Sequence, residues 1–552
     1  MPSEKKSMAE NRVRIYALCV VLIACGLMAQ EAPAADYYVA MNGDNGNPGS
    51  LALPWATLQY AVDTIASGDT ILVRPGTYAG CRIGKSGQAG LPITLRAETP
   101  GTVLVNAAGP QNRHQSTIEI ENFSATIRYW VIDGFEVASA ARYGIDIRDT
   151  EYITIQNCYV HDSAVTGIFT AFSYYPIIQN NESASNGEHG IYQSNSGDHP
   201  TIRGNRLHHN WGCGLHMNGD LSMSPPGDGI ISFALIEKNV IWENGTGGGG
   251  GINMDGGSDG IIRNNLLYNN HASGITAYAI DAAEGSSRNL IYNNTVVMAA
   301  GSRNVLLIAA SPPGVPDPSG NKVKNNIFYT PSANRASIAG YSASMPGFES
   351  VYNLAVDRFS TDEGGTLMNL AQWQSLGHDT HSILATPGQL FMDPANNDYH
   401  LKSGSPALNA GVTLPEVTDD IEGTARPSGS AYDIGCYEAP GTLRAGPVPV
   451  LRIVSKTTMI WDPATNATVY DVIRGDLGLL HTNRSLGDAT CIADDWPSTT
   501  IDEPTMPAAG SGFYYFVRGD GPGVDAGIYD TSDAGRDAEV GTQGGSNCTD
   551  MP

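Results

Sequence analysis

Basic residues are scarce: 31 Lys and Arg stand against 56 Asp and Glu in 552 residues, a formal net charge of −25. Such a surface repels phosphate, which excludes nucleic acid as a partner. It repels an acidic polysaccharide as well, unless a local basic patch or bound Ca²⁺ intervenes. Charge of either sign is thin, at 16% of residues. Cysteine is sparse and no pair has the CxxC spacing of zinc or dithiol sites. Beyond the N-terminal segment the cysteines are 81, 158, 213, 436, 491 and 548, of which only Cys491 with Cys548 reads as a disulfide. Past that segment no apolar run approaches the roughly 20 residues a bilayer requires, so no transmembrane segment is expected once the leader is removed.

What the chain has in quantity is glycine (64) and proline (32), a composition that favours strands and turns over helices. Its N-terminus reads as an export signal, residues 1–35: Lys5, Lys6, Arg12 and Arg14 precede an apolar stretch from Ile15 to Met28 and the small residues of "EAPAAD". Cleavage near Ala34 or Ala35 frees a chain beginning at Asp36, whereas "LIAC" offers the competing reading of a lipoprotein anchored at Cys25. Either reading places the protein outside the cytoplasmic membrane, secreted or at the cell surface, and a monomer is expected.

A repeat dominates the middle of the chain. Aligning "IQNCYV", "IIQNNES", "IRGNRLH", "IEKNVIW", "IRNNLLY", "IYNNTVV" and "VKNNIFY" puts Cys158, Asn181, Asn205, Asn239, Asn265, Asn294 and Asn326 in one column. The steps are 23, 24, 34, 26, 29 and 32 residues, the mark of one coil with loops of variable length. Each coil holds short alternating runs broken by Gly and Asn, which is strand grammar. Stacked about 4.8 Å apart, such coils bury their aliphatic faces on one another. The recurrent Asn then hydrogen-bonds to the coils above and below, satisfying polar groups that would otherwise be buried alone. The fold class expected is all-β, a right-handed single-stranded parallel β-helix followed by a small β-sandwich.

"DYYVAMNGDNGNPGSLALPWATLQYAVDTIASGDTILVRPGTY" (Asp36 to Tyr78) resembles the opening of secreted right-handed parallel β-helix proteins of the pectate-lyase-like superfamily. The resemblance implies a capping helix in Trp55 to Ala66, with Leu58, Ala61, Val62 and Ile65 on its apolar face. "SPALNAG" and "DIGCYE", within Phe391 to Pro440, resemble the segment that closes many bacterial β-helices, with Cys436 where that family usually has Ala. "TTMIWDPATNATVYDVIRGD" and "GSGFYYFVRGDGPG" resemble strands of a fibronectin type III-like sandwich with Trp461 and Tyr470 in its core. The expected division is 36–340 β-helix, 341–440 closing segment, 441–449 linker and 450–552 sandwich.

Registering the coils on their "GI" or "GL" pairs predicts which side chains share a wall. Asp146, Phe169, Tyr192, His216, Asn253 and Thr276 fall in one outward column; Arg148, Ala171, Ser194, Asn218, Asp255 and Tyr278 fall in a second. Between them Ile147, Thr170, Gln193, Met217, Met254 and Ala277 face inward, with Thr170 and Gln193 the poorest fits. Aromatic faces with Asn, Asp and His on one wall suit a sugar chain. The candidate catalytic residues are accordingly His216, Asp255, Tyr192 and Tyr278. Asn218, Asn253, Ser194, His189, Asp220 and Asp281 are the candidate substrate-binding residues, and loops near Glu188, Asp198 and His199 form a rim. Taken singly, each of these is also an ordinary polar residue of a solvated β-helix face.

No metal site is assigned, although Asp255 and Asp220 with Asn253 and Asn218 offer the oxygen ligands Ca²⁺ prefers. Elimination beside a uronate carboxylate needs a base and a cation, yet the only lysines between Val131 and Tyr329 are Lys238, Lys322 and Lys324, none in either column. His216 with Tyr192 or Tyr278 is left as base and acid. Hydrolysis needs two carboxyl groups, for which Asp255 pairs with Asp220 or Asp281. The function read from these features is an exported carbohydrate-active protein that binds, and as lyase or hydrolase cleaves, an extracellular polysaccharide. Its rival is a non-catalytic surface or adhesion protein, suggested by the C-terminal sandwich and two "RGD" tripeptides at Arg474–Asp476 and Arg518–Asp520.

Overall fold

The computed structural model describes residues 34–223, 226–439, 450–464, 467–483, 489–508 and 511–520. Residues 1–33 of the export signal, Cys25 among them, and the linker 441–449 lie outside the described residues.

Each coil has three short strands, and each strand pairs in parallel with its counterpart in the next. Ile191–Ser194, Thr201–Arg203 and Arg206–His208 make one coil, and Leu215–Asn218, Leu235–Glu237 and Val240–Trp242 the next. Alternation sends Ile191, Leu215, Ile252, Ile275 and Leu306 inward from the first face. Ile202, Ile236, Ile262, Ile291 and Val323 come from the second face, and Leu207, Ile241, Leu267, Val296 and Phe328 from the third. These aliphatic ladders are wholly buried and form one continuous core along the axis. Because the side-chain period is two, a slip of one residue would turn a whole ladder outward, so the register is fixed by burial.

The asparagine column does what its position predicts. The amide oxygen of Asn205 accepts from the backbone N–H (3.0 Å) and side-chain amide (3.1 Å) of Asn181, and the same two bonds recur from Asn205 to Asn239, Asn239 to Asn265, Asn265 to Asn294 and Asn294 to Asn326. Cys158 ends the ladder at its N-terminal side, giving its N–H to Asn181 Oδ1. Asn353 extends it one coil beyond the sequence reading. A second ladder, Asn186, Asn210, Asn244 and Asn270, runs along another turn. Each bond contributes roughly 1 kcal/mol net, and the greater effect is that no turn amide is left buried without an acceptor.

The ends are closed by helices. Thr57 caps the N-terminus of the helix Leu58–Thr64 by accepting from Tyr60 N, and Leu58, Ala61, Val62 and Ile65 cover the first coil. Parallel pairing continues past residue 340 as far as Ile383–Leu384. There the short helix Leu370–Ser375 lays Trp373 over Phe359, ring centroids 5.5 Å apart, while its indole N–H donates to Asp379. The segment expected to close the end instead lies along the flank: Asn293 and Asn325 donate to Asp433 and Val412 carbonyls, and Arg426 pairs with Glu438 in full burial. Cys436 is buried, free and inert, its thiol pushed up to about 12 by desolvation.

Beyond residue 450 two three-stranded antiparallel sheets pack Met459, Trp461, Tyr470 and Val472 together. Both RGD tripeptides lie inside the strands Val469–Asp476 and Phe513–Asp520, which pair with each other, rather than in turns after strands. Arg474 is held by Glu503 and Arg518 by the buried Asp471. Cys491 is disulfide-bonded; Cys548, its expected partner, lies outside the described residues.

Candidate functional site

The pairing registers reproduce both predicted columns. Asp146, Phe169, Tyr192, His216, Asn253 and Thr276 are successive partners, as are Arg148, Ala171, Ser194, Asn218, Asp255 and Tyr278. The inward row between them is buried, and its two polar members satisfy each other: Thr170 Oγ1 donates to Gln193 Oε1 (2.8 Å), and Gln193 Nε2 to Gly197 O (2.9 Å).

Only part of the first column is open. At its N-terminal end Glu119 and Asp146 are buried, Glu119 beside Arg82 and Asp146 against Arg148 and Ser116. Phe169 is covered by Tyr143 (centroids 4.4 Å) and by the Arg148 guanidinium. From Tyr192 to Asn253 the side chains are partly exposed, and there the predicted residues meet. His189, Tyr192 and His216 form a ring cluster with centroid separations of 4.6 to 5.2 Å.

Two asparagines tie the tyrosines into this cluster. Asn218 donates to Tyr192 Oη (3.2 Å) and Asn253 to Tyr278 Oη (2.8 Å), so each phenol keeps its own hydrogen to give. Asn253 also donates to His216 Nδ1 (3.2 Å), and the Cys213 backbone N–H donates to His189 Nδ1 (3.0 Å), which assigns both ring protons to Nε2. Desolvation drives the imidazoles down, His216 to about 3 and His189 to about 4, so both are neutral at pH 7. The same burial pushes Tyr192 up to about 12 and Tyr278 higher still, against the lowering effect of their asparagine donors. At neutral pH the cluster therefore presents uncharged donors.

Several predicted residues have other tasks. Asp255 is not an outward acid: it is 2% exposed, and its carboxylate accepts the backbone N–H groups of Ile280 (2.8 Å), Asp281 (3.2 Å) and Ala282 (3.3 Å). It pins the loop that brings Asp281 to within 3.4 Å of Asn218 Nδ2. Burial raises its pKa while the three amides oppose the rise. Those amide protons occupy the oxygens a Ca²⁺ ion would need, so the Asp255/Asp220 set is no cage for a hard cation. Ser194, also buried, donates to Thr170 O and lines no groove. Asp220 receives the N–H of Ser222 and stands at the start of the 221–230 insertion, which docks on the Asp255-pinned loop through Leu221 N to Asp281 O. Asp198 and His199 belong to a different turn, where His199 is sandwiched between Tyr175 and Phe233. Among the described residues the group of three with ligand-like spacing is His114, Glu119 and Glu121, where Arg82 already neutralises Glu119.

The cation that the sequence reading could not find comes from arginine. A pocket of about 540 Å³ joins Asn253, Thr276 and Tyr278 to Arg303, Arg335 and Glu363. Neither Arg303 nor Arg335 forms an ion pair among the described residues, and the Thr276 hydroxyl in the same pocket, buried to 7% exposure, has no hydrogen-bond partner. A register signal for these arginines exists in the sequence. Counting three residues back from Ile191, Leu215, Ile252, Ile275, Leu306 and Ile338 gives a column of Glu188, Gly212, Gly249, Ala272, Arg303 and Arg335. Adjacent members are bonded coil to coil, Gly212 N to Glu188 O and Arg303 N to Ala272 O. Counting lysines alone passed over it.

Comparison with known proteins agrees with this architecture. Residues 37–304 match the family model of the Pel9A-like, right handed beta helix region. The chain is 28% identical over 310 residues to pectate lyase PEL9 of Emericella nidulans, covering 48% of this chain and 74% of that protein. It is 25% identical over 435 residues to pectate lyase L of Dickeya chrysanthemi, covering 73% and 90%. The crystal structure of pectate lyase Pel9A superposes with a TM-score of 0.52 at 18% identity, over 74% of this chain and 97% of that one, a likeness of fold. Among the described residues no helix is long and apolar enough to cross a membrane. The repeat, the asparagine ladders and these matches together make residues 37–304 a right-handed parallel β-helix similar to the Pel9A-like β-helix region.

Proposed function

We propose that this is an exported, carbohydrate-active protein whose groove binds a uronate-containing polysaccharide and cleaves it by β-elimination. The observation that carries the reading is the pairing of Arg303 and Arg335, without counter-ions, with Tyr278 and Asn253 in one pocket of a chain whose net charge is −25. Arginine is suited to a carboxylate, which it engages by paired hydrogen bonds. The names of the two curated relatives, both pectate lyases, point to the same substrate class.

Neutralising a uronate carboxylate makes the C5 proton beside it easier to remove, because charge that develops on the carboxylate in the transition state is met by fixed cations. Removal breaks C5–H, the electron pair forms the C4–C5 double bond, and the C4–O bond to the next sugar breaks. The Tyr278 phenol, neutral at any working pH, gives its proton to that departing oxygen. His216 takes the C5 proton. For this the Asn253 amide must turn over, so that its oxygen accepts from His216 Nδ1–H, freeing the lone pair on Nε2, and from the Tyr278 hydroxyl until that proton is given up. Hydrolysis is disfavoured because Asp255, the common member of both predicted carboxyl pairs, is tied to three backbone amides.

Incubation with polygalacturonate, alginate and a neutral glucan tests the proposal. Ultraviolet absorbance from unsaturated uronate ends is expected with one of the acidic polymers only. New reducing ends without that absorbance would replace elimination by hydrolysis, and absence of both cleavage and binding would remove the carbohydrate reading.

A further inference from the structure

Trp211 stands out among the tryptophans. It is 58% exposed, whereas the other described tryptophans are buried, stacked on another ring or, in the case of Trp496, exposed by only 39% and bonded through the indole to Thr500. No aromatic ring packs on Trp211 among the described residues. An indole with a large apolar face and an N–H is ordinarily buried or partnered, and a free one that is held rigid indicates a binding role.

Trp211 is held rigid. Its backbone is fixed by the coil before, through its N–H to Asn186 O (3.1 Å), and by the coil after, through Gly247 N to its own carbonyl (2.7 Å). Its ring rests on Gly247: a Cβ there would lie 2.1 to 2.5 Å from Trp211 Cε2, Cδ2 and Cζ2. Those atoms surround the central bond of the indole, so the glycine backbone supports the middle of one face and leaves the other to solvent. The run "GTGGGGG" thereby acquires a local purpose, since any side chain at 247 would displace the ring.

Its position ties it to the groove. The next residue, Gly212, packs on His189 Nδ1, and Cys213 N bonds that same atom. Gly249, two residues past the supporting glycine, lines the pocket of Tyr278 and Arg303. Gly212 and Arg303 belong to one column three coils apart, about 14 Å along the axis. Trp211 therefore stands on the arginine edge of the groove, in the coil of His216 and beside the histidine cluster.

We propose that Trp211 is a distal sugar subsite: its free face stacks on the apolar face of a pyranose ring of the polysaccharide, about three coils from Arg303 along the same edge of the groove. The inference rests on the groove reading above and adds an occupant to it. A stacked aromatic contact contributes about 0.5–1.5 kcal/mol beyond area burial, which is roughly a two- to tenfold change in affinity. The effect is confined to chains long enough to reach from the arginines to the indole.

Calorimetric titration with galacturonate oligomers of two to eight residues separates this subsite from the groove. In the unaltered protein affinity is expected to rise with length and then level off. Trp211→Ala is expected to bind the short oligomers normally and to lose up to about tenfold on the longest, with Trp211→Phe keeping most of the gain. Gly247→Val, which displaces the ring without removing it, is expected to reproduce the alanine effect, and circular dichroism checks that each variant is folded. Equal affinity of Trp211→Ala and the unaltered protein at every length would overturn the subsite and leave the groove standing. Failure of the unaltered protein to bind any oligomer would overturn both.

Discussion

Replacing Asn265 by alanine tests whether the ladder holds the coils together. Asn265 is fully buried, and its side chain takes part in four bonds: it accepts from Asn239 N (3.0 Å) and Nδ2 (2.9 Å) and donates to Ile236 O (2.9 Å) and Asn294 Oδ1 (2.9 Å). After the change Asn239 Nδ2 still reaches Ile202 O, and Asn294 Oδ1 still receives the backbone N–H of residue 265. The Asn239 N–H loses its acceptor outright. A stranded buried donor costs about 1–3 kcal/mol and each lost bond about 1 kcal/mol, so the expected destabilisation is roughly 3–5 kcal/mol. In a solenoid each coil contacts only its neighbours, so the loss is local. Hydrogen exchange is the appropriate assay: protection of the amides around Asn239 and Asn265 is expected to fall by about a hundredfold or more, with coils before Val160 unaffected. Asn265→Asp keeps the acceptor, loses both donated bonds and buries a charge, and is expected to be at least as damaging. A loss below about 1 kcal/mol with unchanged exchange would refute the reasoning.

Further outcomes follow from the site. Arg303→Ala and Arg335→Ala should each weaken binding of an acidic polymer by about 10- to 100-fold and flatten its salt dependence, as measured by titration at several ionic strengths. Since the folded-state pKa values of His216 and His189 lie near 3 and 4, below the unfolded value, their neutral forms favour folding fully above about pH 6.5, and that contribution is lost as pH falls towards 3. Imidazole NMR should accordingly show no titration of either ring between pH 8 and 5, whereas His400, raised by Asp398 and Glu422 against its own burial, should titrate above the ordinary value. Asp255→Asn should cost about 1–3 kcal/mol by loosening the 280–282 loop, visible in thermal unfolding, and should weaken binding without abolishing chemistry.

The fold was legible because a parallel β-helix writes its geometry into the chain. The "GI" register placed Tyr192 beside His216 and Asn218 beside Asp255 from spacing alone, since the strand period leaves no freedom once the inward aliphatics are identified. What spacing could not supply was depth. Asp255 and Ser194 occupy outward positions, yet a loop folded from residues 279–282 covers the first, and the buried hydroxyl of the second bonds to the neighbouring coil. Turn residues were the other blind spot. Arg303 and Arg335 and the second ladder from Asn186 to Asn270 all follow the same register, and were passed over because they fall outside the strands. The closing segment shows the limit of phrase similarity: "SPALNAG" and "DIGCYE" sit on the flank, where this segment buries the Asn293 and Asn325 turn side chains and accepts from their amides.

The central claim is that the wall of His216, Asn253 and Tyr278 faces two arginines reserved for a carboxylate. Titration of one galacturonate oligomer and its carboxyl-reduced, neutral counterpart into the unaltered protein and into the Arg303→Ala/Arg335→Ala double variant measures that directly. The account predicts that the unaltered protein prefers the acidic oligomer and that the double variant does not distinguish the two. Equal preference in both proteins would place the carboxylate elsewhere and contradict it.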